Sequence, residues 1–215
     1  PPAMLSTVAG GTADEGTFFM QDVDESWPQV AEERGVIKEL RILQVLPKTT
    51  PHANTPRVGL ANASPGKQVL GTVPVESDGS AYFRAPAGIP LAFQALDEHG
   101  MAVQTMRSIT YLQPGERASC IGCHEQRVTA PRRAGNTLAS RRPPSAIKPG
   151  PEGSKPFNYA ILVQPVLDRH CVRCHRPPDA KGGIDLTGTP SGDFTASYLA
   201  LAPRVHYSEW KSTPQ

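Results

Sequence analysis

Long apolar runs are missing from this 215-residue chain. No stretch approaches the roughly 18 apolar residues that a membrane-spanning helix needs, and no signal peptide opens it. The chain starts at Pro1-Pro2 without an initiator Met, which predicts a processed or partial chain. Aromatic residues are scarce at 6%, and hydrophobic residues reach only 38%. Side chains alone therefore offer little core for a chain of this length. A strong charge of one sign is also lacking. The net charge is +2, which gives no electrostatic case for nucleic acid or an anionic membrane as partner.

Punctuation, by contrast, is plentiful. There are 23 Pro and 19 Gly, well above the average of roughly 12% for the two together, so loops should outweigh long helices. Charge is unevenly spread. Residues 1–40 hold eight acids (Asp14, Glu15, Asp22, Asp24, Glu25, Glu32, Glu33 and Glu39) against Arg34 and Lys38. Residues 127–155 hold seven bases against Glu152 alone.

The four cysteines fall into two copies of one pattern, Cys120-Ile121-Gly122-Cys123-His124 and Cys171-Val172-Arg173-Cys174-His175. C-x-x-C-H is the signature of c-type haem attachment. Each thiol adds across one haem vinyl group to form a thioether. The two intervening residues let a short turn match the spacing of the vinyls, and the histidine that follows is placed under the iron. Two covalent c-type haems are therefore expected, bound by Cys120, Cys123, Cys171 and Cys174, with His124 and His175 as proximal iron ligands. A zinc site built from both pairs is disfavoured by the 47 residues between them, against the usual span of roughly 15–20. A thioredoxin-like pair would open a helix after a βαβ unit, and neither copy does. Structural disulfides would leave both histidines incidental. Because thioether-linked haem is installed outside the cytoplasmic membrane, a periplasmic or extracellular location follows as an expectation.

Four regions are legible. Residues 1–35 read as an acidic, irregular lead-in with Phe18-Phe19-Met20 and Trp27 as its apolar anchors. Residues 36–126 read as a β-module ending in the first motif. Its strand signals are Leu40, Ile42 and Leu46 on one face, the alternation Val69, Gly71, Val73, Val75, a turn at Asp78-Gly79, a return strand Ala81 to Ala85, then Leu91, Phe93 and Ala95, a turn at Glu98-His99-Gly100, and a last strand from Met101. Short strands at this spacing predict a mainly β fold, an antiparallel sandwich or partial barrel, and the pattern resembles the transthyretin-like or carboxypeptidase-regulatory-like β-sandwich module. Residues 127–156 read as a basic, Pro-rich linker, extended and partly polyproline-like. Its arginines, among them Arg132, Arg133, Arg141 and Arg142, can pair with haem propionates or simply be solvated. Residues 157–215 read as a small α-helical cytochrome c-like module. A helix over 159–170, with Pro165 in its first turn, leads into the second motif and presents Leu162 and Val166 to the haem. Ser197 to Leu201 starts another helix.

These stretches resemble a known family, the multihaem proteins related to the alpha subunit of hydrazine synthase. The resemblance runs from Leu43-Gln44-Val45-Leu46-Pro47-Lys48 through Gly71-Thr72-Val73-Pro74-Val75-Glu76-Ser77-Asp78-Gly79-Ser80-Ala81-Tyr82-Phe83 and Gly115-Glu116-Arg117 into the first motif. It resumes at Val166 to His175 with Gly182-Gly183, which looks like an appended cytochrome c module. It implies that this chain is a portion of a larger exported multihaem protein or assembly. In hydrazine synthase itself the catalytic haem is ligated by a tyrosine four residues beyond the motif histidine. Val128 stands there in this chain, so the resemblance implies kinship of fold rather than hydrazine chemistry at the first haem.

The sixth iron ligands remain open at this point. His206 is the candidate for the second haem, alongside a ligand beyond Gln215. Met101 and Met106 sit on the strand from Met101 to Leu112 that feeds the first motif, where methionine more often fills core. His170 abuts Cys171 too closely to reach over its own haem, His52 and His99 lie in loops, and Tyr111 can approach the first haem. Three functions fit: electron transfer to a redox partner or neighbouring haem subunits, a haem redox enzyme acting on a small nitrogen or oxygen compound, and a structural module stapled by haem. Electron transfer ranks first because no acid or base is identifiable beside either motif.

Overall fold

The computed structural model describes residues 14–26, 33–52, 55–60, 65–123, 136–151 and 153–204. The chain divides into two compact units, residues 1–46 with 67–155 and residues 47–66 with 156–215.

The first unit is built from β1 (Glu15–Met20), β2 (Glu39–Val45), β3 (Lys67–Pro74), β4 (Ala81–Pro86), β5 (Leu91–Leu96), β6 (Ala102–Thr105) and β7 (Arg117–Cys120). One sheet has the order β4-β1-β7, and the other carries β6-β5-β2-β3. Period-two alternation explains which faces turn inward. Phe18 and Met20 on β1, Ala81, Phe83 and Ala85 on β4, and Leu40 and Ile42 on β2 are all buried. A register shift between Ile42 and Leu43 lets β2 bury both in succession. Phe18, Phe83 and Phe93 meet in the core with ring centroids 5.2–5.8 Å apart. The mainly β sandwich expected from the sequence is the observed architecture, although β1 and β7 run parallel and Phe83 bridges Ser145 in parallel.

Three details differ from the sequence reading. The lead-in is not irregular throughout, because Glu15–Met20 is the central strand of a sheet. Its acids lie outside the alternating apolar positions, so the acidic composition masks a strand. The turn at Asp78-Gly79 forms, with Gly79 at φ 82° and its N–H bonded to the Glu76 carbonyl at 2.9 Å. It does not close a hairpin, however. β3 pairs with β2 while β4 pairs with β1, so the turn carries the chain from one sheet to the other. The hairpin at Asp97 to Met101 does join neighbouring strands, β5 and β6. Finally, residues 136–151 are attached to the first unit. Ser145 exchanges backbone bonds with Tyr82 and Arg84, Lys148 bonds reciprocally with Thr72, and Arg142 pairs with Glu76 at 2.6 Å.

The second unit holds α1 (Tyr159–Leu162), α2 (Gln164–His170) and α3 (Ala196–Leu201). Asn158 caps α1 by accepting from Ile161 N–H at 3.2 Å, and Thr195 caps α3 by accepting from Tyr198 N–H. The helix expected over 159–170 is broken at Val163, after which Pro165 sits in the first turn of α2. The Tyr198 ring stacks near Tyr159 and Phe194, and its hydroxyl accepts from Leu60 N–H at 2.9 Å, tying residues 55–60 to this unit.

Candidate haem-attachment sites

Strand β7 delivers Cys120 beside Met20 of β1, and the turn that follows is pinned to the same sheet. Gln21 N–H donates to Cys120 O at 2.9 Å and Asp22 N–H to Ile121 O at 3.0 Å. Gly122, the second residue between the cysteines, lies directly against the backbone of Glu25. A Cβ there would fall on the Glu25 carbonyl oxygen and within 2.8 Å of its carbon. Cys120 and Cys123 are half-buried and pack against the core.

Both cysteines open onto a cavity of about 520 Å³ between the two sheets. Met20, Leu40, Phe93 and Ala95 give it apolar walls, and Gln104, Thr105, Arg107, Ser108 and Thr110 form its more polar side. That size lies within the range of roughly 300–1,000 Å³ for sites that hold cofactor-sized ligands. The Cys123 thiol is pushed up to about 11, first by burial and then by the negative charge of Asp24, with Cys120 and Asp22 adding to it. The residues present fit a haem held by thioethers at the cavity edge.

The second pair is placed by helix geometry. Cys171 N–H continues the ladder of α2 to Leu167 O at 2.8 Å, and His175 N–H reaches back to Cys171 O at 3.1 Å. Cys171, Cys174 and His175 thus share one tight turn. His175 Nδ1 lies 3.3 Å from the Ile184 carbonyl oxygen. A carbonyl only accepts, so this contact puts the proton on Nδ1 and leaves the Nε2 lone pair for a metal. Gln164 holds the surrounding loop. Its Nε2 donates to Asp168 at 2.8 Å and to Leu186 O at 3.1 Å, and its Oε1 accepts from the buried Ser197 hydroxyl at 2.5 Å.

Core is scarce in this unit. Among its described residues Leu186 is the buried apolar side chain. Ile161 and Val166 are 70% and 55% exposed on the helices that lead to Cys171, and Leu162 is half-buried. A unit this small with one buried aliphatic residue falls short of what apolar burial ordinarily supplies. The flat apolar face of a haem, tethered at Cys171 and Cys174, matches that shortage, so the residues here fit the group as well.

The remaining candidates scatter. His52 and His99 are exposed loop residues, and His99 approaches Glu98 at 3.6 Å. His170 is exposed at the end of α2. Met101 is 66% and Tyr111 61% exposed, whereas Met106 lines the cavity beside the first cysteine pair. His124, Val128, Arg132, Arg133 and His206 lie outside the described residues. Among the described residues no three His, Cys, Asp or Glu side chains converge as a metal-ligand set, and no helix is long and apolar enough to cross a membrane. Sequence reasoning did not single out Met20, Gly122 or the Ile184 carbonyl. Only Gly122 carried a signal, as a small residue inside the motif.

Comparison with known proteins agrees with this architecture. Residues 35–125 match the family described as the hydrazine synthase alpha subunit middle domain. The hydrazine synthase subunit alpha of Kuenenia stuttgartiensis is 26% identical over 232 aligned positions, covering 76% of this chain and 28% of that protein. A solved structure of Kuenenia stuttgartiensis hydrazine synthase superposes with a TM-score of 0.69 at 23% identity, covering 91% of this chain and 34% of that one, a likeness of fold. The chain thus spans about a third or less of the length of these relatives.

Proposed function

We propose, from the premise that this chain is related to the hydrazine synthase alpha subunit, that it binds two haems covalently and transfers electrons within a larger exported multihaem protein or assembly. The observation that carries the reading is the pairing of motif with environment. Each C-x-x-C occupies a pinned turn beside apolar surface, the first at a cavity of about 520 Å³ and the second beside a histidine whose Nδ1 is already engaged by a carbonyl. Cys120 and Cys123 form the thioethers of the first haem with His124 as its proximal ligand. Cys171, Cys174 and His175 do the same for the second.

Haem c supplies one-electron iron chemistry when bound. The chain's own part is to fix the attachment edges, set the His175 tautomer and exclude water from the iron. Among the described residues, none of the polar groups around the first cavity forms an acid–base pair, which favours electron relay over chemistry on a substrate. Neighbouring haem subunits or a redox partner protein take the electron, and periplasmic or extracellular placement follows from thioether attachment.

Optical spectra of the ferric and ferrous protein test the reading. Two low-spin haems unaffected by cyanide or carbon monoxide are expected. A high-spin haem whose bands shift with either ligand would instead support a redox enzyme acting on a small nitrogen or oxygen compound.

A further inference from the structure

The first unit has a second pocket, on the other face of the sheet whose strands carry Met20 and Cys120 into the cysteine cavity. Along β1 the side chains of Phe18 and Met20 turn into the core, so Thr17 and Phe19 turn outward. Strand pairing gives each of these fixed neighbours. Thr17 lies between Arg84 on β4 and Arg117 on β7, and Phe19 lies between Tyr82 and Ser119. A pocket of about 450 Å³ opens over these two rungs, lined by Thr17, Phe19, Tyr82, Arg117 and Ser119, with Ser140 beside them. The Phe19 and Tyr82 rings meet edge to face with centroids 6.0 Å apart.

The polar groups of this pocket lack partners. Among the described residues the Arg117 guanidinium makes no ion pair or hydrogen bond, and the Ser119 hydroxyl makes none either. The Thr17 hydroxyl oxygen is buried and unpaired. On an ordinary solvated sheet face water would satisfy that group, so its burial sets this face apart. Ser140 is different, because its hydroxyl already donates to Thr137 O at 2.7 Å. Among the described residues no carboxylate lines the pocket. The second cation of the rung, Arg84, is directed to Glu15 at 4.0 Å.

We propose that this outer face binds a small carboxylate carried on a flat apolar body, an aromatic carboxylate being the type. Arg117 offers one positive charge in a planar fork that takes a carboxylate through two parallel bonds. With Arg84 directed to Glu15, the pocket has no second cation to match a phosphate dianion. Arg117 is exposed, so its side chain can swing onto the ligand and uncover Thr17. The Thr17 and Ser119 hydroxyls then donate to the same carboxylate. One rung along, Phe19 and Tyr82 form the wall for the apolar body. The volume falls within the range of roughly 300–1,000 Å³ for small-ligand sites. This binding uses no haem, so it stands apart from the electron-transfer reading above.

The test titrates sodium benzoate into the isotope-labelled full chain with its haems and follows backbone amide shifts. Saturable shifts should centre on Thr17, Phe19, Arg117 and Ser119. Arg117→Gln, a change at an exposed position, should weaken benzoate by roughly tenfold or more. Thr17→Val should weaken it as well without lowering the melting temperature, because it removes an unpaired hydroxyl and keeps the shape. Arg84→Gln should leave the affinity unchanged. Acetate should bind more weakly than benzoate, and benzamide and inorganic phosphate should give no saturable shift at these residues. Absence of a saturable benzoate shift there overturns the proposal. So does full affinity in Arg117→Gln, or acetate, benzamide or phosphate binding as tightly as benzoate. A chain that carries no haem but binds benzoate in this way overturns the electron-transfer reading and supports the pocket.

Discussion

Replacing Gly122 by Ala tests how the first motif is positioned. The new Cβ would overlap the Glu25 carbonyl oxygen and lie 2.8 Å and 3.0 Å from the Glu25 carbonyl carbon and Cβ. The obstacle is backbone, so no rotamer change relieves it. Either the 120–123 turn or the 22–25 segment must move, and the two are joined by the bonds from Gln21 N–H and Asp22 N–H. Overpacking of this kind costs roughly 1–3 kcal/mol, and losing one of those bonds adds about 1 kcal/mol. At roughly 4 °C per kcal/mol for a unit of this size, the melting temperature of the holoprotein should fall by about 8–16 °C. Haem attachment at Cys120 and Cys123 should drop while attachment at Cys171 and Cys174 is unchanged, as read by mass analysis of proteolytic peptides. Gly150→Ala is the control, since nothing lies within 4 Å of its added Cβ. A Gly122→Ala protein that melts within about 1 °C of the parent and carries the first haem normally would refute the reasoning.

Three further outcomes are expected. On the proposed reading the imidazole oriented by Ile184 O is the proximal ligand, so His175→Ala should keep both thioethers of the second haem but abolish its low-spin spectrum. Gln164→Leu removes one partner of the buried Ser197 hydroxyl, which keeps Thr195 Oγ1 at 3.0 Å, and leaves the Leu186 carbonyl without its donor. It should destabilise the second unit by about 1–3 kcal/mol, read as a lowered denaturant midpoint of the second haem's spectrum alone. At Asp78 burial raises the carboxyl, but bonds from the Ser80 hydroxyl, the Leu138 N–H and the Ser80 N–H outweigh it and hold the group below its ordinary range. Its stabilising contribution is therefore present above the ordinary carboxylate pKa and is lost as pH falls through the lowered one. Asp78→Asn should flatten the acid limb of stability against pH, measured by denaturant titration, and an unchanged limb would contradict this.

Local chemistry was legible wherever the pattern was local. The alternation in β5 and the turn at Asp97 to Gly100 specify a hairpin from neighbouring residues alone. Long-range pairing left no such mark. Nothing near Asp78-Gly79 reveals that β4 leaves β3 for β1, because that choice depends on Phe18 and Met20 some 60 positions away, which are buried against Phe83. Residues 136–151 read as a linker because proline obscures strand signals, yet Ser145 and Lys148 supply edge bonds to two strands. The Ile184 carbonyl is a backbone atom without a residue-type signature, so only the fold brings it to His175.

Intact mass under denaturing conditions is the most direct measurement of the central claim. The exported chain should be heavier than its polypeptide by two haem units that survive acid-acetone extraction. Both should map to the peptides containing Cys120–Cys123 and Cys171–Cys174. A chain at bare polypeptide mass, or one whose added mass is zinc, would contradict it.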